Sequence, residues 1–303
     1  YGVGCILIPK LEAKEIGNIF KKYHPNHILG VPTLFKGIIG AKDLQNEDMS
    51  YVKNIVSGGD LVKNSLEDRI NNFFSSHNAK VKLSKGYGLS EIVAGATFAT
   101  GDYNNYGSNG IPMIGTNLKL VKPGTDEEVY IGEIGEICLK GPSMMKGYYN
   151  QPEETSQTLQ NGWLHTGDIG SVQDSQLHFS TRRGDMIISS GINVYPNVVE
   201  QVIEDHDAVS MCAVVGVPDD YKGEIPKAYV VLKDGQEVTE KLEEEIKELC
   251  KQNLNKYSVP KAYEYVDELP QTLLGKITHG RLKEQSKAKV YAKVNSNQKV
   301  GNM

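Results

Sequence analysis

The sequence predicts an α/β protein whose layered part gives way to a β-rich stretch and then to a small α+β domain. Three observations carry that expectation. Over residues 1–113, apolar runs short enough for buried strands alternate with stretches of helical apolar spacing. From Ile114 the runs shorten, and Gly, Pro and Asn turns separate them. After Arg182-Arg183-Gly184-Asp185, a helix, two strands and a second helix follow in turn. A chain of 303 residues has room for about two domains. The textures divide it into 1–183, with layers 1–113 and 114–183, and a closing domain 184–303.

Within the first texture, Gly2-Val3-Gly4-Cys5-Ile6-Leu7-Ile8-Pro9 reads as a buried strand stopped by its proline. No methionine precedes it, so further sequence upstream is expected. Leu11, Ile16, Ile19, Phe20 and Tyr23 recur at helical spacing until His24-Pro25, and Ile28 to Val31 supply the next strand. Ile55-Val56 feed the glycine turn Ser57-Gly58-Gly59-Asp60, a helix is expected around Leu66 to Phe74, and a strand at Val81 to Leu83. Such alternation predicts parallel strands.

In the second texture the strand-like runs are Asn117 to Val121, Glu136 to Lys140 and Leu177 to Phe179. In the third, Val199, Val202 and Ile203 mark a helix after Pro196, with strands at Met211 to Val217 and Ala228 to Leu232. Leu242, Ile246 and Leu249 form the stripe of a helix that Thr239 caps, with Glu240, Glu243 and Glu244 near the positive end of its dipole. From Lys283 onward lysines face a single Glu284 with few apolar residues, the composition of a solvated helix end and frayed tail rather than a binding arm.

Composition narrows the function classes. Lys+Arg 33 against Asp+Glu 38 gives a net charge of −5, which lays no general electrostatic footprint for nucleic acid. With 39% hydrophobic and 23% charged residues, the chain is neither disordered nor a collagen or coiled-coil repeat. No apolar run approaches the roughly 18 residues of a membrane span and no signal-like segment opens the sequence, so a cytoplasmic location is expected. Cys5, Cys138, Cys212 and Cys250 lie too far apart for a C-x-x-C pair, and the histidines show no H-x-x-x-H or H-E-x-x-H spacing. Reduced, partly buried thiols and no protein-bound transition metal follow.

Four segments carry chemistry. Gly86-Tyr87-Gly88-Leu89-Ser90-Glu91 combines glycines that let backbone approach a ligand, a ring able to stack on a purine, a hydroxyl for a phosphate oxygen and a carboxylate for Mg²⁺; an ordinary turn is its bland alternative. In Gly162-Trp163-Leu164-His165-Thr166-Gly167-Asp168, the carboxylate after a glycine can accept from both hydroxyls of a ribose. Arg182-Arg183-Gly184-Asp185, with Ser190-Gly191-Ile192-Asn193-Val194-Tyr195-Pro196, joins a charged turn to a glycine loop and a proline-started helix. One arginine can reach a ribose or phosphate there and Gly184 can act as a pivot; a salt-bridged linker is the alternative. Pro270-Gln271-Thr272-Leu273-Leu274-Gly275-Lys276-Ile277 offers an ammonium after a glycine but is not a Walker loop, because Pro270 and Ile277 stand at its defining Gly and Ser/Thr positions.

In this order and span, the segments resemble the adenylate-forming enzymes, the superfamily of acyl-CoA synthetases, luciferases and peptide-synthetase adenylation domains. The run Gly141-Pro142-Ser143-Met144-Met145-Lys146-Gly147-Tyr148-Tyr149-Asn150, continued by Gly162 to Gly170, looks most like the acyl-CoA synthetase branch. The resemblance covers nearly the whole chain. It implies the remainder of a large α/β plus β-barrel-like AMP-binding domain, followed by a small lid domain. By the same resemblance Gly58, Gly59 and Asp60 line the adenine pocket, Tyr87 stacks on the base beside Gly88, Ser90 meets phosphate and Glu91 holds Mg²⁺. Asp168 and Arg182 grip the ribose, Lys276 acts in adenylation, and the surroundings of Gly191 form a pantetheine path once a pivot at Gly184-Asp185 has turned. Ser90 replaces the Thr of many relatives, Gly184 stands where Asp or Lys is usual, and Thr278-His279 replaces a common arginine.

The resemblance implies ATP, Mg²⁺ and coenzyme A as cofactors and co-substrates, and a fatty or aryl carboxylic acid as substrate. The family's Ser/Thr/Gly-rich loop that clasps the outer phosphates lies upstream of every segment present here. The chain alone is therefore expected to have little or no adenylating activity, the N-terminal half being required. A noncatalytic nucleotide-binding module, half of a split enzyme, and a domain that loads a carrier protein are the competing readings.

Overall fold

A computed structural model describes residues 2–8, 12–272 and 277–286. The chain forms two compact units, residues 1–116 with 142–145 and residues 117–141 with 146–303. The first contains α1 (Ile16–Tyr23), β1 (His27–Gly30), α2 (Pro32–Gly40), β2 (Asn54–Ser57), α3 (Asn64–Ser76), β3 (Leu83–Tyr87), β4 (Thr97–Phe98) and β5 (Ile111–Pro112). Its sheet runs β1-β2-β3-β4-β5, parallel through the first three strands and antiparallel through the last three. Phe35, Ile38, Leu44, Met49, Ile55, Ile70, Phe74 and Leu83 are fully buried in its core.

One expectation for this unit needs correction, and one helix was not foreseen. Residues 2–8 form no strand, and Val3, Ile6 and Leu7 are exposed. An apolar run becomes a strand only against a pairing edge and a covering layer, and no described residue supplies either to this segment. Pro9 and Leu11 lie outside the described residues. The helix α2 was not legible, because Gly37 and Gly40 weaken its propensity; burial of Phe35 and Ile38 and a proline at its start favour it nonetheless.

The second unit contains two sheets. β6 (Asn117–Val121), β7 (Gly135–Lys140), α4 (Pro152–Thr158), β8 (Leu159–Gln160), β9 (Trp163–Gln173) and β10 (Gln176–Arg182) build an antiparallel sheet ordered β10-β9-β7-β6, with β8 beside β9. β11 (Ile187–Ser189), β12 (Ile192–Val194), α5 (Pro196–Glu204), β13 (Val209–Asp219), β14 (Gly223–Leu232), α6 (Glu240–Asn253) and β15 (Ala262–Tyr265) follow, in a sheet ordered β12-β11-β14-β13 with β15 parallel to β14. Alternation along β13 explains its unbroken apolar run. Cys212 and Val214 pack with Val199, Ile203, Leu242 and Ile246, whereas Ala213, Val215 and Val217 pack with Leu269 and Leu282 on the opposite face. Thr239 caps α6 as expected, its Oγ1 accepting from Leu242 N at 3.1 Å. The expected division at 183/184 falls on a hydrogen-bonded turn inside this unit, where Asp185 N and Met186 N both donate to Arg182 O.

A buried ion pair sits under the first sheet. Lys85 Nζ on β3 lies 2.5 Å from Glu67 Oε1 on α3, with both side chains about 5% exposed or less. Removing one partner leaves an uncompensated buried charge, so Lys85→Met is expected to destabilise the chain by roughly 3–5 kcal/mol. The double variant Lys85→Met with Glu67→Leu is expected to regain most of that loss in urea unfolding followed by far-UV circular dichroism.

Candidate functional site

In the first unit, two loops leave neighbouring parallel strands at the same end. β2 pairs with β3 as far as Ser57 opposite Lys85, so Gly58-Gly59-Asp60 and the segment from Gly86 emerge side by side. A Cβ on Gly58 would stand 3.6 Å from Gly86 O. The crevice outside the carboxyl ends of parallel strands is where open α/β sheets hold ligands. Gly59 and Asp60 are exposed at this edge, and Asp60 Oδ1 accepts from Leu61 N. Tyr87 closes β3 with its ring buried, Ser90 is exposed, and Glu91 is half-buried in the short 3-10 turn Ser90–Ile92.

That second loop is folded back on itself. Ala94 N donates to Leu89 O and Ala96 N to Tyr87 O, through Val93 and Ala94 in left-handed conformations. The return brings Ala94 O so close that a Cβ on Gly88 would meet it at 1.7 Å, so only glycine fits. Left-handed non-glycine residues cost free energy and tend to gather at functional loops. The backbone of Glu91 is fixed in addition by Met145 N, which donates to its carbonyl at 2.7 Å. A half-buried carboxylate on so constrained a turn suits Mg²⁺, which commonly takes one or two protein carboxylates and fills its other positions with water and phosphate oxygens.

In the second unit, a bulge presents the acid. β7 and β9 pair at Glu136 opposite Ile169 and at Cys138 opposite His165, so Thr166, Gly167 and Asp168 together face Ile137 alone. Thr166 Oγ1 donates to Ile137 O at 2.7 Å and accepts from Asp168 N at 3.0 Å. Gly167 takes φ +69°, and its N–H donates to Glu136 Oε1 at 3.2 Å. Asp168 then stands directly opposite Arg182 on β10, with Arg182 Nε 3.6 Å from Asp168 Oδ1. The guanidinium is 66% exposed and the carboxylate 10%, so the pair is a charge contact at a rim rather than a buried bridge. β10 carries its own irregularity between Phe179 and Thr181, where Asn197 Nδ2 of α5 donates to Ser180 O at 2.6 Å.

Beneath the bulge lies a cluster with the outline of a nucleophilic triad. His165 Nδ1 is 3.5 Å from Cys138 Sγ, and its Nε2 is 3.3 Å from Asp126 Oδ1 without hydrogen-bond alignment. Its chemistry is the opposite of a nucleophile's. Burial, reinforced by Glu136 and Asp126, pushes the Cys138 thiol up to about 12, so it holds its proton at any physiological pH.

The remaining expected residues are dispersed. Gly191 forms the tip of the β11–β12 hairpin beside Ser190, with open space around the position of its Cβ, and the neighbouring Ser190 N donates to Lys222 O. Lys276 lies outside the described residues; on its flanks Gln271 pairs with Ile277 and Thr278 N donates to Pro270 O. His279, at the usual arginine position, has Nε2 2.6 Å from the buried Glu200 Oε1. The structure brings Gly58, Gly59, Asp60, Tyr87, Gly88, Ser90 and Glu91 to one sheet end, and Asp168 opposite Arg182. Sequence reasoning gave no role to Thr166, Arg183 or Glu136; the single acid in β7, ahead of the apolar Ile137–Leu139, was the available signal for the last.

Family models match both parts of the chain, "AMP-binding enzyme" over residues 1–149 and "AMP-binding enzyme C-terminal domain" over residues 198–276. The chain belongs to the AMP-binding enzyme family, in its acyl-CoA ligase branch. A long-chain-fatty-acid–CoA ligase of Bacillus subtilis (strain 168) is 39% identical over 94% of the chain and 50% of that relative. A feruloyl-CoA synthase of Amycolatopsis sp is 35% identical over 85% of the chain and 51% of its own length. Among solved structures, the anthranilate CoA ligase AuaEII in complex with anthranoyl-AMP superposes with TM-score 0.85 at 30% identity, covering 96% of this chain and 56% of that one. ATP-bound MatB from Rhodopseudomonas palustris gives TM-score 0.83 at 27% identity, over 93% and 54%. The chain thus spans about half the length of the relatives it matches. No helix among the described residues is long and apolar enough to cross a membrane.

Two outcomes follow for the site. In the folded protein at pH 8 an aromatic disulfide reagent is expected to titrate the exposed Cys5 rapidly and Cys138, Cys212 and Cys250 only on unfolding. Gly88→Ala is expected to displace the Tyr87–Ala96 loop, read as lost or shifted amide resonances of residues 87–96 in an otherwise native spectrum.

Proposed function

We propose that this chain supplies the adenosine-binding loops and the lid of an acid–thiol ligase that activates a carboxylic acid with ATP and passes the acyl group to coenzyme A. The observation that supports it most is the bulge in β9, which sets an acidic side chain opposite an arginine where two acceptor oxygens can take both hydroxyls of a ribose. Gly58, Gly59 and Asp60 would flank the adenine, with Tyr87 beside the base, Gly88 giving it room and Ser90 facing phosphate.

In the first step a substrate carboxylate oxygen attacks the α-phosphorus of ATP, the bond to the β,γ-diphosphate breaks, and pyrophosphate leaves with the electron pair. Negative charge concentrates on the phosphoryl oxygens and the attacking oxygen, so preorganised positive charge is needed there. Lys276 supplies an ammonium in this reading, and Glu91 would hold Mg²⁺, which when bound neutralises phosphate charge. In the second step the thiol sulfur of coenzyme A attacks the acyl carbon, giving up its proton, and AMP leaves. A turn about Gly184-Asp185 would exchange Lys276 for the surroundings of Gly191 between the steps. Coenzyme A as acceptor is favoured by the relatives' names, and a fatty or aryl acid by the same names. No protein nucleophile is required, which accords with the inert Cys138.

Isothermal titration with AMP tests the nucleotide site directly. Asp168→Ala removes two charge-assisted hydrogen bonds to the ribose and is expected to weaken AMP binding roughly 10- to 100-fold. ATP–pyrophosphate exchange by the 303-residue chain alone is expected at background, since the phosphate-clasping loop of the resemblance is not in it; exchange well above background overturns that. In a ligase that carries that loop together with this chain, Lys276→Ala is expected to lower adenylation about 10²- to 10³-fold with the fold intact, measured as pyrophosphate release.

A further inference from the structure

Glu136 is the most deeply placed carboxylate of the antiparallel sheet in the second unit, 3% exposed, and no step described above uses it. It stands on β7 where the register with β9 begins to slip. Its Oε1 accepts from Gly167 N at 3.2 Å and its Oε2 from Gly124 N at 3.3 Å. Arg183 Nη1 approaches Oε2 at 3.6 Å, and His165 Nδ1 stands 3.9 Å from Oε1. Arg183 N in turn donates to Gly167 O at 2.7 Å, so the peptide unit at Gly167 is held from both sides.

Geometry gives this arrangement a purpose. A three-against-one bulge leaves backbone groups without ladder partners, and a buried N–H left unpaired costs as much as the hydrogen bond it lacks. Gly167, in a left-handed conformation next to Asp168, is where that cost falls. A carboxylate at position 136 meets it from inside the sheet, while Arg183 balances the charge at the edge. The neighbouring turn, through Gly124, is tied to the same two oxygens.

We propose that Glu136 is a positioning residue for the nucleotide site: by accepting from Gly167 and Gly124 and pairing with Arg183, it fixes the bulge that aims Asp168 at the ribose. The functional part of this inference rests on the reading of Asp168 given above, whereas the structural part does not. The link from Glu136 to Asp168 runs through the backbone of Gly167, the residue before it.

Amide exchange read by NMR on the 303-residue chain separates the two. In Glu136→Gln, which keeps the shape but loses the charge and one acceptor, the amides of Gly167 and Gly124 are expected to exchange about 10- to 100-fold faster than in the wild type. Those of β6 and of Ser171–Gln173 are expected to keep their rates. Glu136→Leu, lacking both acceptors, is expected to show the same pattern more strongly. Unchanged exchange at Gly167 and Gly124, uniform acceleration across the sheet, or failure of both variants to fold would each overturn the proposal, the last two by making Glu136 a general stabiliser. In parallel, AMP affinity is expected to fall in Glu136→Gln by a factor of about ten, and the double variant with Asp168→Ala is expected to bind AMP no more weakly than Asp168→Ala alone. If the wild type binds no AMP, the nucleotide reading fails while the exchange pattern still decides the role of Glu136. If AMP binds equally well to wild type and Glu136→Gln, the positioning role fails and the nucleotide reading stands.

Discussion

A strand cannot remain fully paired and also offer one of its side chains to a ligand at a chosen angle. The second unit resolves that conflict on β9, where three residues face one on β7. Everything distinctive about Asp168 follows from that misfit. Its backbone N–H is taken by Thr166, its predecessor must be able to adopt a positive φ, and its partner across β10 is an arginine rather than an apolar residue. Bulges increase local twist and re-aim side chains, and their cost is met by whatever groups lie beneath. Here those groups are the hydroxyl of the half-buried Thr166 and the buried carboxylate of Glu136, each held by hydrogen bonds to the backbone.

The first unit meets a related demand by a different route. Its strands stay in register to their ends, and the irregularity is pushed into the loop after β3. That loop doubles back so tightly that Gly88 has no room for a side chain, and Val93 and Ala94 accept left-handed conformations in consequence. Strain of order 1–3 kcal/mol per such residue persists only where surrounding contacts over-determine the backbone. The hydrogen bonds from Ala94 to Leu89, Ala96 to Tyr87 and Met145 to Glu91 supply that restraint. The Lys85–Glu67 pair anchors the strand two residues earlier, so the loop starts from a fixed point.

Much of this was legible in the sequence because its cause is local. Apolar periodicity located α1, β1, β2, α3, α5, β13, β14 and α6, since a face buried every 2 or 3.6 residues leaves its mark on composition. Thr239 was legible as a cap because a hydroxyl three residues before a free N–H has a single geometric use. The motif residues Gly58 to Glu91 were legible as chemistry, and their meeting at one sheet end follows from adjacent parallel strands. The strand expected at residues 2–8 failed because pairing is not a property of the segment itself, and α2 was hidden because tertiary burial overrides two glycines. Glu136 was hidden for the same kind of reason. Its partners, Gly124, Gly167 and Arg183, are scattered along the chain, and only the register of β7 on β9 brings them to one carboxylate.

Carboxylates that accept from strand amides recur in this unit with a common logic. β13 is an edge strand of its sheet, and an edge presents unpaired N–H groups that invite association with another chain. Along that edge, Glu204 Oε1 accepts from Cys212 N at 2.6 Å and Glu200 Oε1 from Val214 N at 2.9 Å. Two acids one helical turn apart on α5 thereby answer two amides two residues apart on the strand, because a turn of helix and a pleat repeat are of similar length. Glu136 does for an internal bulge what Glu200 and Glu204 do for an edge. In each case a carboxylate with two acceptor oxygens meets backbone donors that no ladder can reach. Its desolvation is offset by those donors, with Arg183 or His279 supplying a cationic or ionisable group alongside. Replacing Glu136 or Glu200 by an apolar residue of similar size would leave backbone amides unsatisfied as well as parting Arg183 or His279 from its acid, and since Arg183 is half exposed the larger part of the penalty at Glu136 would fall on backbone conformation at that point.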